Sequence, residues 1–457
     1  MIDNYVIIAY LLILMVSGIY NKSNASYKEY TSMGKLKNKN FLLVATIFAS
    51  AVGGGTTFGL TEAVHNNNLS YVYALLLNVP IDILIAIYLI PKLFEYRGSI
   101  TIGDIFQKSY GKTGSIVAGL SVIVSSVGYM AAQISVSSKI FQYMFPLNKL
   151  QSILASYFVL ILYTSFGGFR SVVFANLIQF IAMIIAIPAL ACLGIYTIGI
   201  ENLISSTPPE KYNIIASSNL FHETITAATA FVFIGLYPTL IQRILLSEDA
   251  KATTKAMINK SVIYVIFVIF IAINGLISYY LRNEMTGNNH VVIDMVSHLL
   301  PEGLRGFIFI GFLAATMSTA DSDLSITGIT FIKDIVSKII TIKRQKTMLI
   351  ATQFVTVISG LFAIYLALQF NDVIKLIIFA GAFWSPIILV PMIAGFYNIT
   401  IKPWQFVVCS IFSLTITILN EVYNHPIYNL AGIFIGTLIS FACFSMFVMI
   451  NRFARRV

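Results

Sequence analysis

Three consecutive glycines, Gly53, Gly54 and Gly55, lie inside an apolar run over residues 41–64 that is long enough to cross a bilayer. Each weakens a helix by about 1 kcal/mol relative to alanine. The hydroxyls of Thr56 and Thr57 follow at once. In hydrocarbon a helix breaks only where its freed N–H and C=O groups face protein, water or a ligand. The stretch FASAVGGGTTFGLTEA, residues 48–63, therefore reads as a broken helix that binds an ion or a polar solute near the midplane. The competing reading is a small-residue contact between helices.

Composition places that break in a membrane. Of 457 residues, 58% are hydrophobic and 11% charged, with a mean hydropathy of +0.85. Soluble domains carry about a quarter charged residues. The fold class is an all-α polytopic membrane protein. Apolar runs cover residues 5–20, 41–64, 69–94, 114–145, 150–165, 172–198 and 224–246, then 261–281, 304–332, 348–370, 373–397, 403–419 and 431–450. At about 20 residues per span this predicts about thirteen transmembrane helices. The first run has no basic leader or small-residue cleavage site, and is expected to be retained.

Charge sets the expected orientation. Lys22, Lys28, Lys35, Lys37 and Lys39 follow the first run, and Lys92, Arg97, Lys108 and Lys112 the third. Arg243, Lys251, Lys255 and Lys260 follow the seventh, and Lys333, Lys338, Lys343, Arg344 and Lys346 the ninth. Basic loops stay cytoplasmic. The N-terminus is therefore expected outside the plasma membrane and the C-terminus inside, as an odd helix count requires. The net charge of +10 is scattered over short loops, which argues against nucleic acid as partner. Cys192, Cys409 and Cys443 lie in apolar runs without metal spacing. The five histidines fall in loops or segment ends and are expected to be solvated. There is no P-loop, nucleophile elbow or metalloprotease motif, and no extramembrane segment of catalytic-domain size. The chain is not expected to be an enzyme or to need an obligate protein partner.

Three further segments bear on function: GGFRSVVFANLIQF at 167–180, YPTLIQRILLSEDAKATTKAM at 237–257 and AATMSTADSDLSITGITFIKDI at 314–335. In that order, with ASAVGGGTTFG upstream, the chain resembles the sodium:solute symporter family over nearly its whole length. The resemblance implies a LeuT-type core of two inverted five-helix repeats, here residues 41–198 and 224–397, separated by an extracellular loop at 199–223. Residues 1–40 would add a leading helix and basic loop, and 398–457 two trailing helices with a basic C-terminus. The first helix of each repeat should be discontinuous, with Gly235 and Pro238 as candidates for the second break.

The same resemblance places a sodium site between the broken helix and the ninth run. Its ligands would be the carbonyls of Ala49, Val52 and Ala315 and the hydroxyls of Ser318 and Thr319. Neutral oxygens freed by unwinding suit a hard cation. The alternative is that both hydroxyls bond back to their own helix. Some relatives complete a second sodium site with an aspartate where this chain has Asn176. Across from it, Asp321 and Ser322 share a helical face with Ser318, and a carboxylate inside a membrane is costly and usually functional. Asn176, Asp321 and Ser322 are thus the candidate second site, for sodium or a proton, unless Asp321 only caps local packing or faces a water-filled inner vestibule. Asp82 reads more readily as paired with a neighbouring helix, and Asn78 as a substrate contact.

The implied substrate pocket is lined by Gly54, Gly55, Thr56, Thr57, Asn78, Gln133, Phe233 and Tyr237, with Asn274 and Trp384 less firmly placed. Exposed amides of the glycine run could hold a carboxylate. Few long polar side chains project inward, which disfavours a sugar and favours a small organic acid, amino acid or similar metabolite. The function expected is sodium-coupled symport by alternating access. The alternatives are proton coupling on the same fold, or a channel-like or sensory membrane protein. Residues 451–457 leave no room for a signalling domain, and polar residues cluster at the breaks rather than along a pore.

Overall fold

The computed structural model describes residues 2–20, 26–31, 40–213, 218–231, 236–285, 290–370, 373–422 and 432–454. Among them every regular element is helical. The first half contains α1 (Ile2–Tyr20), α2 (Asn40–Ala51), α3 (Gly55–Asn66), α4 (Ser70–Phe94), α5 (Ile102–Met144) and α6 (Lys149–Ile198). The second contains α7 (Ser218–Phe231), α8 (Pro238–Leu246), α9 (Ala250–Tyr280), α10 (Leu304–Thr330) and α11 (Gln345–Gln369). After these come α12 (Val373–Ala382), α13 (Ser385–Phe396), α14 (Pro403–Val422) and α15 (Gly432–Phe453).

Among the described residues eight helices are long and apolar enough to span a membrane, and ten when each of two bent pairs counts as one span. The expected thirteen are not resolved as separate helices. Two of the expected runs, 150–165 and 172–198, are joined in the 50 residues of α6. At 1.5 Å per residue that segment would be about 75 Å long, more than twice a bilayer core of about 30 Å. It turns at Gly168, whose φ of 67° is non-helical. A β-carbon there would also lie 2.6 Å from the Tyr30 ring, so the turn requires glycine on two counts.

Helix α10 is the axis of the bundle. Every residue over 308–330 is buried, and the helix packs on α1, α2, α5, α6 and α11. It is also rich in polar side chains, including Thr316, Ser318, Thr319, Asp321, Ser322 and Asp323. Such residues are expensive in lipid and are placed toward the bundle interior. The opposite logic holds for α14 and α15, which pack on each other and turn Trp404, Ile411, Phe412 and Phe441 outward.

Four readings of polar residues need correction. Arg243 and Lys260, expected in a basic loop, are 0% and 5% exposed. The reason is that α8 ends at Leu246 and α9 starts at Ala250, so the loop is only residues 247–249; Arg243 lies in the last turn of α8 and Lys260 well inside α9. His290 is not solvated surface either. Its Nε2 lies 2.8 Å from Glu62 on α3, with 10% of its side chain exposed, and its ring stands against Phe58. The Nδ1 of His65 lies 3.1 Å from the Ser278 hydroxyl.

Replacing Gly168 with alanine should lower the unfolding temperature by the equivalent of about 1–3 kcal/mol. Gly98 shares the positive φ, at 92°, but nothing stands within 4 Å of a built β-carbon. Gly98→Ala is therefore expected to cost clearly less when the two are compared by thermal unfolding in detergent.

Candidate functional site

Helix α2 stops at Ala51 and resumes as α3 at Gly55 with a 64° bend. The break leaves backbone groups that no helical turn satisfies. Side chains from elsewhere take them. The Ser318 hydroxyl donates to the Ala49 carbonyl at 2.7 Å, and the Thr319 hydroxyl to the Val52 carbonyl at 3.2 Å. The Tyr237 hydroxyl, at the residue before α8, donates to the Ser50 carbonyl. On the amide side, Gly54 N–H donates to Gln133 Oε1 at 2.6 Å. A β-carbon on Gly53 would sit 2.9 Å from that same oxygen and 3.0 Å from the Thr319 hydroxyl, so this approach needs glycine.

The five oxygens expected to hold sodium form one compact group. Ser318 Oγ is 3.0 Å and Thr319 Oγ1 3.4 Å from the Ala315 carbonyl, in addition to their contacts with Ala49 and Val52. Three carbonyls and two hydroxyls, all neutral, are the donor chemistry a hard monovalent cation takes. In the geometry described here both hydroxyls direct their protons at carbonyls. An ion would turn those protons away and accept the oxygen lone pairs.

Asn176, Asp321 and Ser322 are also brought together, around a residue that sequence reasoning had left in a loop. Arg243 Nε donates to Thr46 Oγ1 at 3.0 Å, Nη1 to the Thr239 carbonyl at 2.9 Å and Nη2 to Ser322 Oγ at 2.7 Å. Asn176 Nδ2 donates to Thr46 Oγ1 at 3.1 Å and Ser322 Oγ at 3.4 Å. Asp321 accepts from the Tyr163 hydroxyl at 2.7 Å and from Ser322 at 3.2 Å. A guanidinium thus stands one hydroxyl away from Asp321.

Beside the break lies a cavity of about 180 Å³. That is smaller than the clefts of about 300–1,000 Å³ that take drug-sized ligands. Of the expected pocket residues, Gly55, Thr56, Asn78, Gln133 and Tyr237 line it. Gly54 and Thr57 are not among its lining residues; the Thr57 hydroxyl turns back to the Gly53 carbonyl. Phe233 and the proposed break residue Gly235 lie outside the described residues. Asn274 and Trp384 are placed elsewhere, donating to the carbonyls of Ile187 and Leu236 respectively. Asp82 lines the cavity in a 2.6 Å ion pair with Lys260, both side chains under 10% exposed.

One lining residue went unnoticed in the sequence. Asp323 is fully buried, and neither of its carboxylate oxygens has a hydrogen-bond partner among the described residues. The signal was present, since Asp323 follows Thr319 by one helical turn and so shares its face.

Comparison with known proteins identifies the family and the fold. The profile of the sodium:solute symporter family matches residues 32–400. The sodium/proline symporter 2 of Staphylococcus saprophyticus is 24% identical over 409 residues, covering 84% of this chain and 80% of that protein. A sodium/proline symporter of Staphylococcus aureus is also 24% identical, covering 85% and 80%. Among solved structures, a sodium-coupled sialic acid symporter in a substrate-bound outward-open state superposes with a TM-score of 0.85 at 17% identity, covering 99% of this chain and 97% of that one. MhsT in complex with L-phenylalanine gives a TM-score of 0.56 at 17% identity, covering 90% and 98%.

Removing one partner of a buried ion pair leaves the other charge uncompensated and costs about 3–5 kcal/mol. Lys260→Met should therefore lower the unfolding temperature strongly, and the double change Asp82→Asn, Lys260→Met should recover most of the loss. Thermal unfolding of the two variants against the native chain checks this.

Proposed function

The chain belongs to the sodium:solute symporter family and is a sodium-coupled transporter of a small solute; we propose that its solute is a small organic acid, amino acid or similar metabolite, moved by alternating access. Sodium is assigned to the group formed by Ala49, Val52, Ala315, Ser318 and Thr319, and the solute to the cavity beside Gly55, Thr56, Asn78, Gln133 and Tyr237. The observation that carries this reading is the position of Thr319. Its hydroxyl bonds the Val52 carbonyl at the break, and the same residue lines the cavity. An ion that fixes Thr319 and the break also fixes one wall of the solute site. Binding of each then favours binding of the other by the same factor.

The cavity size favours a metabolite of amino-acid scale. The basic loops that remain after Arg243 and Lys260 are withdrawn support a plasma-membrane protein with its N-terminus outside and its C-terminus cytoplasmic. The five-plus-five repeat assignment over residues 41–198 and 224–397 is kept as part of the same proposal.

Sodium should bind only the folded protein and so raise its unfolding temperature. At a sodium concentration of about 100 times the dissociation constant, the gain is about 2.7 kcal/mol. The measurement is thermal unfolding in sodium chloride against choline chloride at matched ionic strength. The rise should shrink in a Ser318→Ala, Thr319→Ala double variant. The absence of any sodium effect between about pH 5 and 8 would transfer the coupling role to a proton.

Asn176, Asp321 and Ser322 are proposed as a second cation position. Asp321→Asn should then lower the Hill coefficient for sodium in solute uptake. An unchanged coefficient would make Asp321 a counter-charge to Arg243, a role its position one hydroxyl from that guanidinium also supports.

A further inference from the structure

The cavity is lined by a buried carboxylate, Asp323, that no hydrogen-bonded cation meets among the described residues. Asp82 and Lys260 both line it, but they neutralise each other at 2.6 Å. Arg243 is close enough to act on both Asp321 and Asp323, so one guanidinium stands against two carboxylates. Asp323 is the carboxylate of the two that faces the cavity. Its side chain is fully buried, and both oxygens are without a hydrogen-bond partner among the described residues. An ionised carboxylate buried in this way costs several kcal/mol unless a positive charge meets it.

The surroundings of Asp323 say what kind of cation that is. The Tyr129 hydroxyl, which also lines the cavity, has no hydrogen-bond partner among the described residues, and the Ser126 hydroxyl lies near enough to Asp323 to interact with it. Two carboxylate oxygens and the Tyr129 hydroxyl provide acceptors for a group that carries N–H donors. Tyr71, Tyr237 and Tyr264 also line the cavity, and the Tyr264 ring already carries a cation, the Lys260 ammonium 4.9 Å from its centroid. Ile47, Leu75 and Ile377 give the remaining wall an aliphatic character. A bare metal ion would make no use of that wall. A cationic nitrogen on a small organic body would use all of these features.

We propose that the solute carries a protonated amine or other cationic nitrogen and that Asp323 is its partner in the cavity. This rests on the reading of the chain as a sodium-coupled symporter that binds its solute beside the glycine break. It narrows the solute from any small metabolite to amines and zwitterions, and excludes simple carboxylates. Asp323 lies one helical turn from the sodium ligand Thr319, so solute cation and coupling ion would occupy neighbouring positions along α10 without sharing the carboxylate.

The test is thermal unfolding of the full-length protein in sodium chloride with matched probes. The cationic probes are L-proline, L-alanine and pyrrolidinium. The carboxylate-only probes are cyclopentanecarboxylate and propionate. Cationic probes should raise the unfolding temperature and carboxylate-only probes should not. Asp323→Asn removes an unpaired buried charge without changing shape, so it is expected to fold. It should weaken the cationic probes at least tenfold while keeping the rise caused by sodium alone. Asp323→Glu should retain part of the binding. The proposal is overturned if carboxylate-only probes stabilise equally, if Asp323→Asn binds cationic probes unchanged, or if none of them stabilises a protein that still responds to sodium. Loss of the sodium response in Asp323→Asn would assign the carboxylate to the ion and overturn it too. Absence of a sodium response in the native protein would instead contradict the symport reading on which the proposal stands.

Discussion

A membrane helix that stops halfway must hand its carbonyls to something, and in this protein that obligation joins distant parts of the chain. The carbonyls of Ala49, Ser50 and Val52 are taken by hydroxyls from Ser318, Tyr237 and Thr319. The first and last of these donors belong to α10, and Tyr237 immediately precedes α8. A backbone defect in one helix is thus closed by groups from two others. The hydroxyls are held where an ion would need oxygen ligands. Because the satisfaction is by side chains rather than by a helical ladder, it can be exchanged for ion ligation by rotating two hydroxyls. Under the proposed sodium assignment, the same groups that stabilise the fold would also respond to the ion.

The polarity of α10 follows from the same constraint. A helix that must serve the break, answer Arg243 and form one wall of a cavity cannot be uniformly apolar, and its hydroxyls and acids are tolerated because residues 308–330 are all enclosed. Helices α14 and α15, which have no such duties, are free to face lipid with aromatic and aliphatic side chains.

The break and the class of fold were readable from residue order, because a glycine run and an apolar run carry their consequence locally; the meeting of Ser318 and Thr319 with the unwound segment, 269 and 267 residues away, came only from the resemblance to the symporter family. Arg243 and Lys260 were not. Both follow an apolar run closely, and a one-dimensional count of basic residues cannot distinguish a short loop from helical turns on either side of it. Their partners, Ser322 for Arg243 and Asp82 for Lys260, lie 79 and 178 residues away. Asp323 was a different kind of omission, since its spacing from Thr319 was visible and only its unpaired state needed the three-dimensional arrangement. His290 likewise depended on Glu62, 228 positions earlier in the chain, which no local pattern announces.

The most direct test of the central claim is an experimental structure of the purified protein in sodium, at a resolution that shows bound ions and their ligands. The account predicts density for one ion enclosed by the carbonyls of Ala49, Val52 and Ala315 and the hydroxyls of Ser318 and Thr319. It also predicts that the ion replaces the direct contacts from those hydroxyls to Ala49 and Val52. The result that would contradict it is a sodium-bound structure in which both hydroxyls still donate to those carbonyls and the ion lies elsewhere.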